Sequence, residues 1–394
     1  MRPPFPCQAV SDTPSLSTAH GSWVSIAPPG AIKAGVLCMD TFLCGAILSQ
    51  EGKQRMSQQQ PSGIALSRRQ LLRRGTLAVC GLAAYTRRAI AALTPVRMSC
   101  WSQPLSEQTN IFAGQEFGWF RDAGIDFSFV PGAGGGEAVK HVLAGNADVA
   151  FANIEPMLFA VEKGEKLKGV YNIYPQNVFN VVSLKSKNLV QPQELKGKRI
   201  GVYSMESGTR HNLRVILRAV GLDEGDVEVV PTGMLNFGPL MQGQVDATAA
   251  TDTGIWLAQQ RGLGEVNTMW ARDYLNTPTD AFIVSEELYT SRQELLRTFL
   301  QVYKRGTQWM LDDPEEAAQL AVKYAINGKD PRQNLEIIKI RNAASISTDT
   351  QRHGLGWFNL DVLEQVERTF RELGLLQHPL DMRQLFTNEL VRRL

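Results

Sequence analysis

Short apolar segments alternate with segments of helical periodicity from Pro95 onward. Three short runs rich in apolar, aromatic and β-branched residues are typical of buried strands: 96–101, 125–130 and 148–151. Between them, apolar side chains recur at helical spacing in residues 110–120 and 136–143. This alternation predicts β-α-β units, and therefore an α/β fold built on largely parallel sheets.

A weak internal repeat extends this pattern. Gly124 and Gly221 each precede an apolar residue, an Asp and a predicted strand, and Gly145 is matched by Gly243 about 98 residues later. A period this long indicates two duplicated lobes rather than a solenoid. We expect these glycines to end helices in the left-handed conformation. The strands that follow would end at equivalent positions of a cleft, because ligands collect beyond the carboxyl ends of strands in open α/β sheets.

The last quarter of the chain has a helical pattern. Four amphipathic segments are expected to form helices that brace the first lobe: 288–311, 314–327, 331–343 and 359–373. Asp313 and Pro314 predict the cap and first residue of the second helix.

Charge is unevenly distributed along the 394 residues. The formal net charge is +2, but residues 1–92 hold ten basic and three acidic side chains, so the remainder carries a net charge of −5. A mildly acidic body argues against non-specific binding of nucleic acid, which needs a basic face. The apolar fraction of 43% is sufficient for one large domain or two lobes. We expect a monomer.

The N-terminal extension, residues 1–92, contains a segment at 67–73 that resembles a twin-arginine export signal. A modest apolar run at 75–84 follows, which is too short for a stable membrane anchor. Small residues predict cleavage near residue 92, and Met56 is the expected start of translation. The alternative is a basic amphipathic surface helix. The predicted location is the periplasm.

Cysteine and histidine usage limits the chemistry. Four of the five cysteines precede residue 92, which leaves only Cys100 in the body, so no disulfide framework or multi-cysteine metal site is expected there. The five histidines are scattered, without a metal-ligand spacing. We therefore expect no metal and no cofactor. Cys100 is predicted to be a small buried residue, with a reactive thiol as the alternative.

Three segments together carry a family resemblance: 118–126, 143–150 and 195–202. In their order and spacing they resemble periplasmic substrate-binding proteins of ABC importers, and more narrowly the family that binds nitrate, alkanesulfonates, taurine or thiamine-pyrimidine precursors. The resemblance implies a two-lobe periplasmic-binding-protein fold of type II-like plan, with a hinge and extra C-terminal helices. The expected lobes are 93–183 with 279–394 and 184–278.

A loop after the predicted strand 199–203 is the first candidate for ligand binding. Ser204, Ser207, Gly208 and Thr209 precede or begin an amphipathic helix, with Ser207 as the predicted cap. A helix N-terminus with hydroxyl groups and free amides can bind an anion or a carbonyl group. We expect Gly208 to let a ligand approach the backbone closely. The same loop binds ligand in the resembling family.

The predicted strand ends supply further candidates. Trp101 follows the first strand, where an aromatic residue of the resembling family packs against a flat ligand, although a core position is the alternative. Asn153 and Glu155 would hydrogen-bond the ligand or cap a helix. Thr251 and Asp252 would form the opposite wall. Asp252 favours an amine, whereas Arg210 would favour an oxyanion, so the choice between a sulfonate-like anion and an aminopyrimidine stays open.

The resemblance implies a soluble exported carrier that closes around a small molecule and delivers it to an ABC permease in the inner membrane. The alternative is an enzyme on the same fold. Pyrimidine synthases of this superfamily carry a cysteine-rich iron-binding motif that is absent here. Sulfinate desulfinases of similar fold use a cysteine near the first strand, where Cys100 lies.

Overall fold

The computed structural model describes residues 92–233 and 237–392. In this part of the chain, ten strands form two five-stranded sheets. The first sheet consists of β1 Thr94–Cys100, β2 Ile125–Val130, β3 Val149–Asn153, β4 Leu167–Asn172 and β10 Asp280–Ser285. The second consists of β5 Phe179–Leu184, β6 Arg199–Val202, β7 Glu228–Pro231, β8 Ala247–Thr251 and β9 Val266–Trp270.

Helices surround both sheets. In the first lobe these are α1 Thr109–Glu116, α2 Trp119–Asp122, α3 Gly135–Leu143 and α4 Ile154–Glu162. In the second lobe they are α5 Gly208–Arg218, α6 Gly238–Met241 and α7 Asp252–Gln260. The C-terminal helices are α8 Glu286–Ser291, α9 Gln293–Asp312, α10 Pro314–Tyr324, α11 Pro331–Ala344, α12 Thr348–His353, α13 Leu360–Glu372 and α14 Met382–Leu385.

The two sheets share one plan, as the internal repeat predicts. Their strand orders, β2-β1-β3-β10-β4 and β7-β6-β8-β5-β9, are equivalent strand for strand. In each sheet one strand, β10 or β5, runs antiparallel to both neighbours. The chain enters each of these strands directly from the other sheet. The left-handed conformation predicted for the repeated glycines is confirmed, with φ between 70° and 78° at Gly124, Gly145, Gly221 and Gly243.

Alternating side chains place a core on each face of the first sheet. Phe151 and Phe282 pack on one face, together with α9. Ala150 and Ile283 pack on the other face, together with α13. Strand residues alternate between faces, so neighbouring positions enter different cores. The C-terminal helices therefore cover the first lobe, as their amphipathic pattern predicts.

Two predicted elements differ in detail. The helix expected over 110–120 is divided into α1 and α2 because Gly118 adopts a left-handed φ of 71° between them. The strand Phe179–Leu184, which the expected boundary at residue 183 assigns almost entirely to the first lobe, pairs with Ala247–Thr251 in the second sheet. The chain therefore changes sheets before residue 179. The remaining lobe boundaries stay a prediction.

Two short segments, 173–178 and 271–279, connect the sheets and contact each other. The N–H of Thr279 donates to the carbonyl of Tyr174 at 2.8 Å, and its hydroxyl accepts from the N–H of Val178 at 3.0 Å. Asn177 also donates to the carbonyl of Leu275 at 3.1 Å. These bonds join the two crossings into one hinge at the base of the cleft.

The predicted export signal and the expected start at Met56 lie outside the described residues. Among the residues that the structure does describe, none of the helices combines the length and the apolar character needed to cross a membrane.

Candidate ligand-binding site

Two adjoining cavities lie between the strand ends of the two lobes. The inner pocket, of about 50 Å³, lies against the hinge and includes Tyr174 and Val178 in its wall. The outer cavity, of about 410 Å³, extends from it along the second lobe toward Leu257. Four residues line both cavities: Trp101, Tyr203, Thr209 and Thr251. The cleft expected from the strand topology is therefore continuous from the hinge outward.

Two aromatic side chains lie where the two cavities meet. Trp101 follows β1 and Tyr203 follows β6, which is the equivalent strand of the other lobe. Their rings meet edge to face, with centroids 6.5 Å apart and planes at 83°. The indole N–H of Trp101 is buried and has no acceptor among the described residues. The pair offers a flat ligand two aromatic surfaces and one hydrogen-bond donor.

The loop before α5 lines the inner pocket but is organised differently from the prediction. Ser207 holds the N-cap position, yet its hydroxyl donates to the carbonyl of Ser204 at 2.6 Å and does not cap the helix. It also lies 2.7 Å from the hydroxyl of Thr209, which accepts from the N–H of Tyr203 at 3.0 Å. The predicted N-cap position of Ser207 is therefore confirmed, although its side chain makes no capping hydrogen bond. The N–H groups of Gly208 and Thr209 begin α5 and have no intrahelical acceptor.

Gly208 is required by a neighbouring side chain. A Cβ atom there would lie 2.3 Å from Cζ of Phe179. The ring of Phe179 thus occupies the space that the sequence argument reserved for close ligand approach. Both residues line the inner pocket.

Ser204 does not line either cavity and instead joins the lobes. Its hydroxyl donates at 2.5 Å to the carbonyl of Ala133, in the glycine-rich turn of the first lobe. In the same contact Gly136 donates its N–H to the carbonyl of Glu206 at 3.0 Å. A Cβ atom at Gly134 would lie 2.8 Å from Oγ of Ser204. The glycine-rich turn therefore permits a close contact between the lobes beside the cleft.

Asn153 lines the inner pocket, whereas Glu155 lies outside the walls of both cavities. The carboxylate of Glu155 accepts from Asn153 Nδ2 at 2.6 Å and from Asn212 Nδ2 at 2.9 Å. Asn212 belongs to α5, so Glu155 links the two lobes. Burial raises the pKa of Glu155 to about 7, against the hydrogen bonds from both amides. The expected contact between Glu155 and a ligand is not supported by this position.

Asp252 is paired with an arginine that the sequence did not single out. Arg341, on the buried face of α11, has Nη1 2.8 Å from Oδ1 of Asp252 and donates from Nη2 to Oγ1 of Thr253 at 2.9 Å. Its Nε donates to the carboxylate of Glu107. Its guanidinium group also lies 5.3 Å from the centre of the Tyr174 ring. The carboxylate of Asp252 is therefore paired with Arg341. The prediction that it offers an unpaired carboxylate to a ligand amine is wrong.

The pairing keeps the arginine charged. Burial disfavours the cation, but Asp252 and Glu107 outweigh that cost and raise the pKa of Arg341 above its ordinary value. Arg210, the other candidate cation, donates to Glu224 at 2.8 Å and to the carbonyl of Met205 at 2.8 Å. It lines neither cavity. Neither Asp252 nor Arg210 thus presents an unpaired charge to the cleft.

Asp280 is the second functional candidate that sequence reasoning missed. It is the first residue of β10, it lines the inner pocket, and it is 5% exposed. Burial raises the pKa of Asp280 to about 8, with Arg341 opposing and Glu107 and Glu155 supporting the rise. The sequence signal that could have identified Asp280 is its position directly before the wholly apolar strand segment 281–284. For Arg341 the signal was its i, i+4 spacing from Ile337 on the predicted buried face.

Cys100 is a core residue. Its side chain has no exposed surface, and its sulfur accepts from Gln108 Nε2 at 3.1 Å. Burial, the largest cause, raises the pKa of the thiol to about 12. Burial of this kind disfavours a nucleophilic thiolate at neutral pH. Among the described residues, no group of three or more His, Cys, Asp or Glu side chains is placed to hold a metal ion.

Two lobes of equivalent topology, joined by a double crossing and enclosing a cleft, define the periplasmic-binding-protein class of fold. Within that class, the model of the family described as "NMT1/THI5 like" matches residues 106–317. The match spans more than half of the chain, and the chain belongs to this family. The recognition made from the three sequence segments and the expected fold class are thereby confirmed.

Relatives and solved structures include both carriers and enzymes. The chain is 28% identical to riboflavin-binding protein RibY of Chloroflexus aurantiacus over 248 residues, which are 62% of this chain and 70% of that protein. It is 24% identical over 232 residues to the 4-amino-5-hydroxymethyl-2-methylpyrimidine phosphate synthase THI5 of Saccharomyces cerevisiae, covering 55% of this chain and 66% of that one. The alkanesulfonate-binding protein SsuA of Xanthomonas axonopodis pv. citri, bound to MOPS, superposes with a TM-score of 0.58 at 16% identity, covering 75% and 99% of the two chains.

Proposed function

We propose that the protein is the substrate-binding component of an ABC importer and that its ligand is a small, flat nitrogen heterocycle rather than a sulfonate or nitrate. The observation that carries this choice is the charge of the inner pocket. Arg341 is neutralised by Glu107 and Asp252, and Asp280 adds a further carboxyl group. Arg341 Nη1 and the amides at the start of α5 are donors at this wall, but the one cation there is already balanced by two carboxylates, so a bound anion would meet no uncompensated positive charge among the described lining residues.

The size and lining of the outer cavity support the same choice. Its volume of about 410 Å³ is within the range of small-molecule sites and is more than ten times the roughly 30 Å³ that one water occupies in the liquid. Apolar side chains such as Phe237, Leu257 and Ile337 form much of its wall. A nitrate ion would leave most of this apolar surface without contact, whereas a ring system would cover it.

The names of the relatives agree with a heterocyclic ligand. RibY is called a riboflavin-binding protein, and a protein of Halalkalibacterium halodurans that is 21% identical is called a formylaminopyrimidine-binding protein. Riboflavin and aminopyrimidines share a planar ring with hydrogen-bond donors and acceptors side by side. We infer that the ligand belongs to this chemical class.

The transport role rests on the two-lobe architecture. The hinge of two crossings allows the lobes to move as bodies, and contacts such as Ser204 with Ala133 would form only when the cleft closes. A closed form is what a permease would recognise. Export through the twin-arginine signal and delivery as a monomer to an inner-membrane permease complete the proposal.

The test is a thermal-shift and recovery experiment on the purified protein. Riboflavin and 4-amino-5-hydroxymethyl-2-methylpyrimidine represent heterocycles, and taurine, MOPS and nitrate represent anions. Ligand at a hundred times its Kd should stabilise the fold by about 2.7 kcal/mol. Stabilisation by a heterocycle that is recovered unchanged supports the carrier. Stabilisation by the anions alone contradicts the ligand class, and consumption of the heterocycle would indicate an enzyme.

A further inference from the structure

The inner pocket contains a carboxyl group that no protein group satisfies. Asp280 lines the pocket and is 95% buried as a residue, and within the described part of the chain no hydrogen bond reaches its carboxyl oxygens, which are open to the pocket rather than enclosed by protein. A largely buried carboxyl group of this kind needs a hydrogen-bond partner from inside the pocket. A ligand in the inner pocket would supply the missing partner.

The backbone fixes this carboxyl group in place. Asp280 pairs with Asn153 across antiparallel strands, so their side chains lie on the same face of the sheet end. The carbonyl of Asp280 accepts the N–H groups of Ile173 and Tyr174 at 2.8 and 3.3 Å. The residue is therefore anchored to the hinge itself, and its position does not depend on a flexible loop.

We propose that the neutral carboxyl group of Asp280 recognises a paired donor–acceptor edge of the ligand ring, such as the imide edge of a flavin or the amidine edge of an aminopyrimidine. Its O–H donates to a carbonyl oxygen or ring nitrogen, and its C=O accepts from the adjacent N–H, without net proton transfer. Sulfonates and nitrate present only acceptors and can make one of these two bonds. The proposal rests on the proposed function and specifies which group hydrogen-bonds the ring edge of the ligand.

The surroundings favour the neutral form. The titratable and charged groups that face Asp280 come from five elements and the first hinge segment: Cys100 on β1, Glu107 in the turn Ser106–Gln108, Glu155 on α4, Tyr174, Tyr303 on α9 and Arg341 on α11. Burial is the largest influence and raises the pKa of Asp280 to about 8, although Arg341 opposes it. At pH 7 most molecules therefore hold the proton that the donor–acceptor pair requires.

Riboflavin binding between pH 6 and pH 9 tests this role, with the dissociation constant measured by calorimetry. If only the protonated carboxyl group binds, Kd stays nearly constant below pH 7 and rises about tenfold between pH 7 and pH 9, since the pKa is about 8. The wild-type protein should also bind riboflavin at least about tenfold more tightly than 3-methylriboflavin, which lacks the ring N–H.

Two variants separate hydrogen bonding from ionisation. Asp280→Asn retains one donor and one acceptor but does not titrate, so we expect Kd at pH 7 within about fivefold of wild type and no rise up to pH 9. Asp280→Leu removes both bonds, and its Kd at pH 7 should be at least about tenfold higher, with no preference for riboflavin over 3-methylriboflavin. Glu155→Gln is the control, because Glu155 also titrates near neutral pH but lies outside the pocket wall. This variant should retain the rise in Kd, displaced toward lower pH because Glu155 helps to raise the pKa of Asp280.

The outcomes separate this inference from the proposed function. Riboflavin affinity that is independent of pH, together with an unaffected Asp280→Leu variant, overturns the role of Asp280 while leaving a heterocycle carrier intact. A loss of affinity in Asp280→Asn as large as in Asp280→Leu shows that a neutral donor–acceptor pair at this position does not bind the ring edge, which also overturns it. If the wild-type protein binds neither riboflavin nor 4-amino-5-hydroxymethyl-2-methylpyrimidine at pH 6, both the ligand class and this inference fail.

Discussion

The inner pocket and the outer cavity adjoin each other but differ in size and in the depth at which their polar groups lie. The inner pocket is small, lies at the hinge and has a mainly apolar wall that contains a few buried polar side chains, among them Asn153, Asp280 and Arg341. The outer cavity is eight times larger and is lined mainly by apolar side chains, several of them from α6 and α7 of the second lobe. We propose that the inner pocket selects the ring edge of the ligand and that the outer cavity supplies contact area.

The physical basis of this division is the cost of desolvation. A hydrogen bond missed in the buried inner pocket leaves a polar group unsatisfied, which costs about 1–3 kcal/mol and discriminates sharply between ligands. Apolar contact in the outer cavity adds affinity roughly in proportion to area and tolerates variation in shape. Three substitutions test this division.

The largest effect is expected from Arg341→Met, which removes the buried cation at the inner pocket. The change leaves Glu107 and Asp252 without their buried partner, so we expect the free energy of unfolding to fall by about 3–5 kcal/mol in urea denaturation. Lys339→Met on the exposed face of the same helix is the matched control and should change it by less than about 0.5 kcal/mol. A fully stable Arg341→Met protein would mean that the buried ion pairs do not form.

An intermediate effect on stability is expected from the protonation of Glu155. The folded protein raises the pKa of Glu155 from 4.5 to about 7, so the unfolded state loses this proton at lower pH. The stabilisation that accompanies the neutral form is complete below pH 4.5 and is lost as pH rises through 7. We expect the stability of wild type relative to Glu155→Gln to fall by a few kcal/mol between pH 4.5 and pH 8. The exposed Glu165→Gln variant should follow the wild-type profile, and a parallel profile for Glu155→Gln would contradict the assignment.

The smallest effect is expected in the outer cavity. Leu257→Trp narrows this cavity without touching the inner pocket. Binding of riboflavin should weaken about tenfold, or about 1.4 kcal/mol, whereas the single-ring aminopyrimidine should bind within about twofold of wild type. Leu257→Met conserves the volume and serves as the control. Equal losses for both ligands, measured by calorimetry, would show that the two cavities do not act separately.

Local patterns in the sequence predicted much of the framework. The left-handed glycines, the cap at Asp313 and the order of strands and helices depend on residues within a few positions of each other. Six of the nine candidate site residues, including Trp101 and Thr209, line the cleft because strand ends in an α/β fold face it; their contact with ligand stays a prediction.

The errors were made where distant segments meet. Asp252 was expected to be free because its partner Arg341 lies 89 positions away, and Glu107 lies a further 145 positions back along the chain. Ser204 and Glu155 were assigned to a ligand, but each is bonded to a carbonyl or side chain from another part of the fold. No local pattern carries this information.

Periodicity and turn residues act over short distances, so they were enough to predict the two-lobe plan and the existence of a cleft, and three segments carried the family resemblance. Which charges are neutralised near the cleft, and which polar groups stay without a partner, depends on the tertiary structure. The pKa shifts of Arg341 and Asp280 arise from burial and from charged groups that are distant in sequence. Both causes exist only in the folded protein. The preference for a heterocycle over an anion is therefore a proposal from the structure.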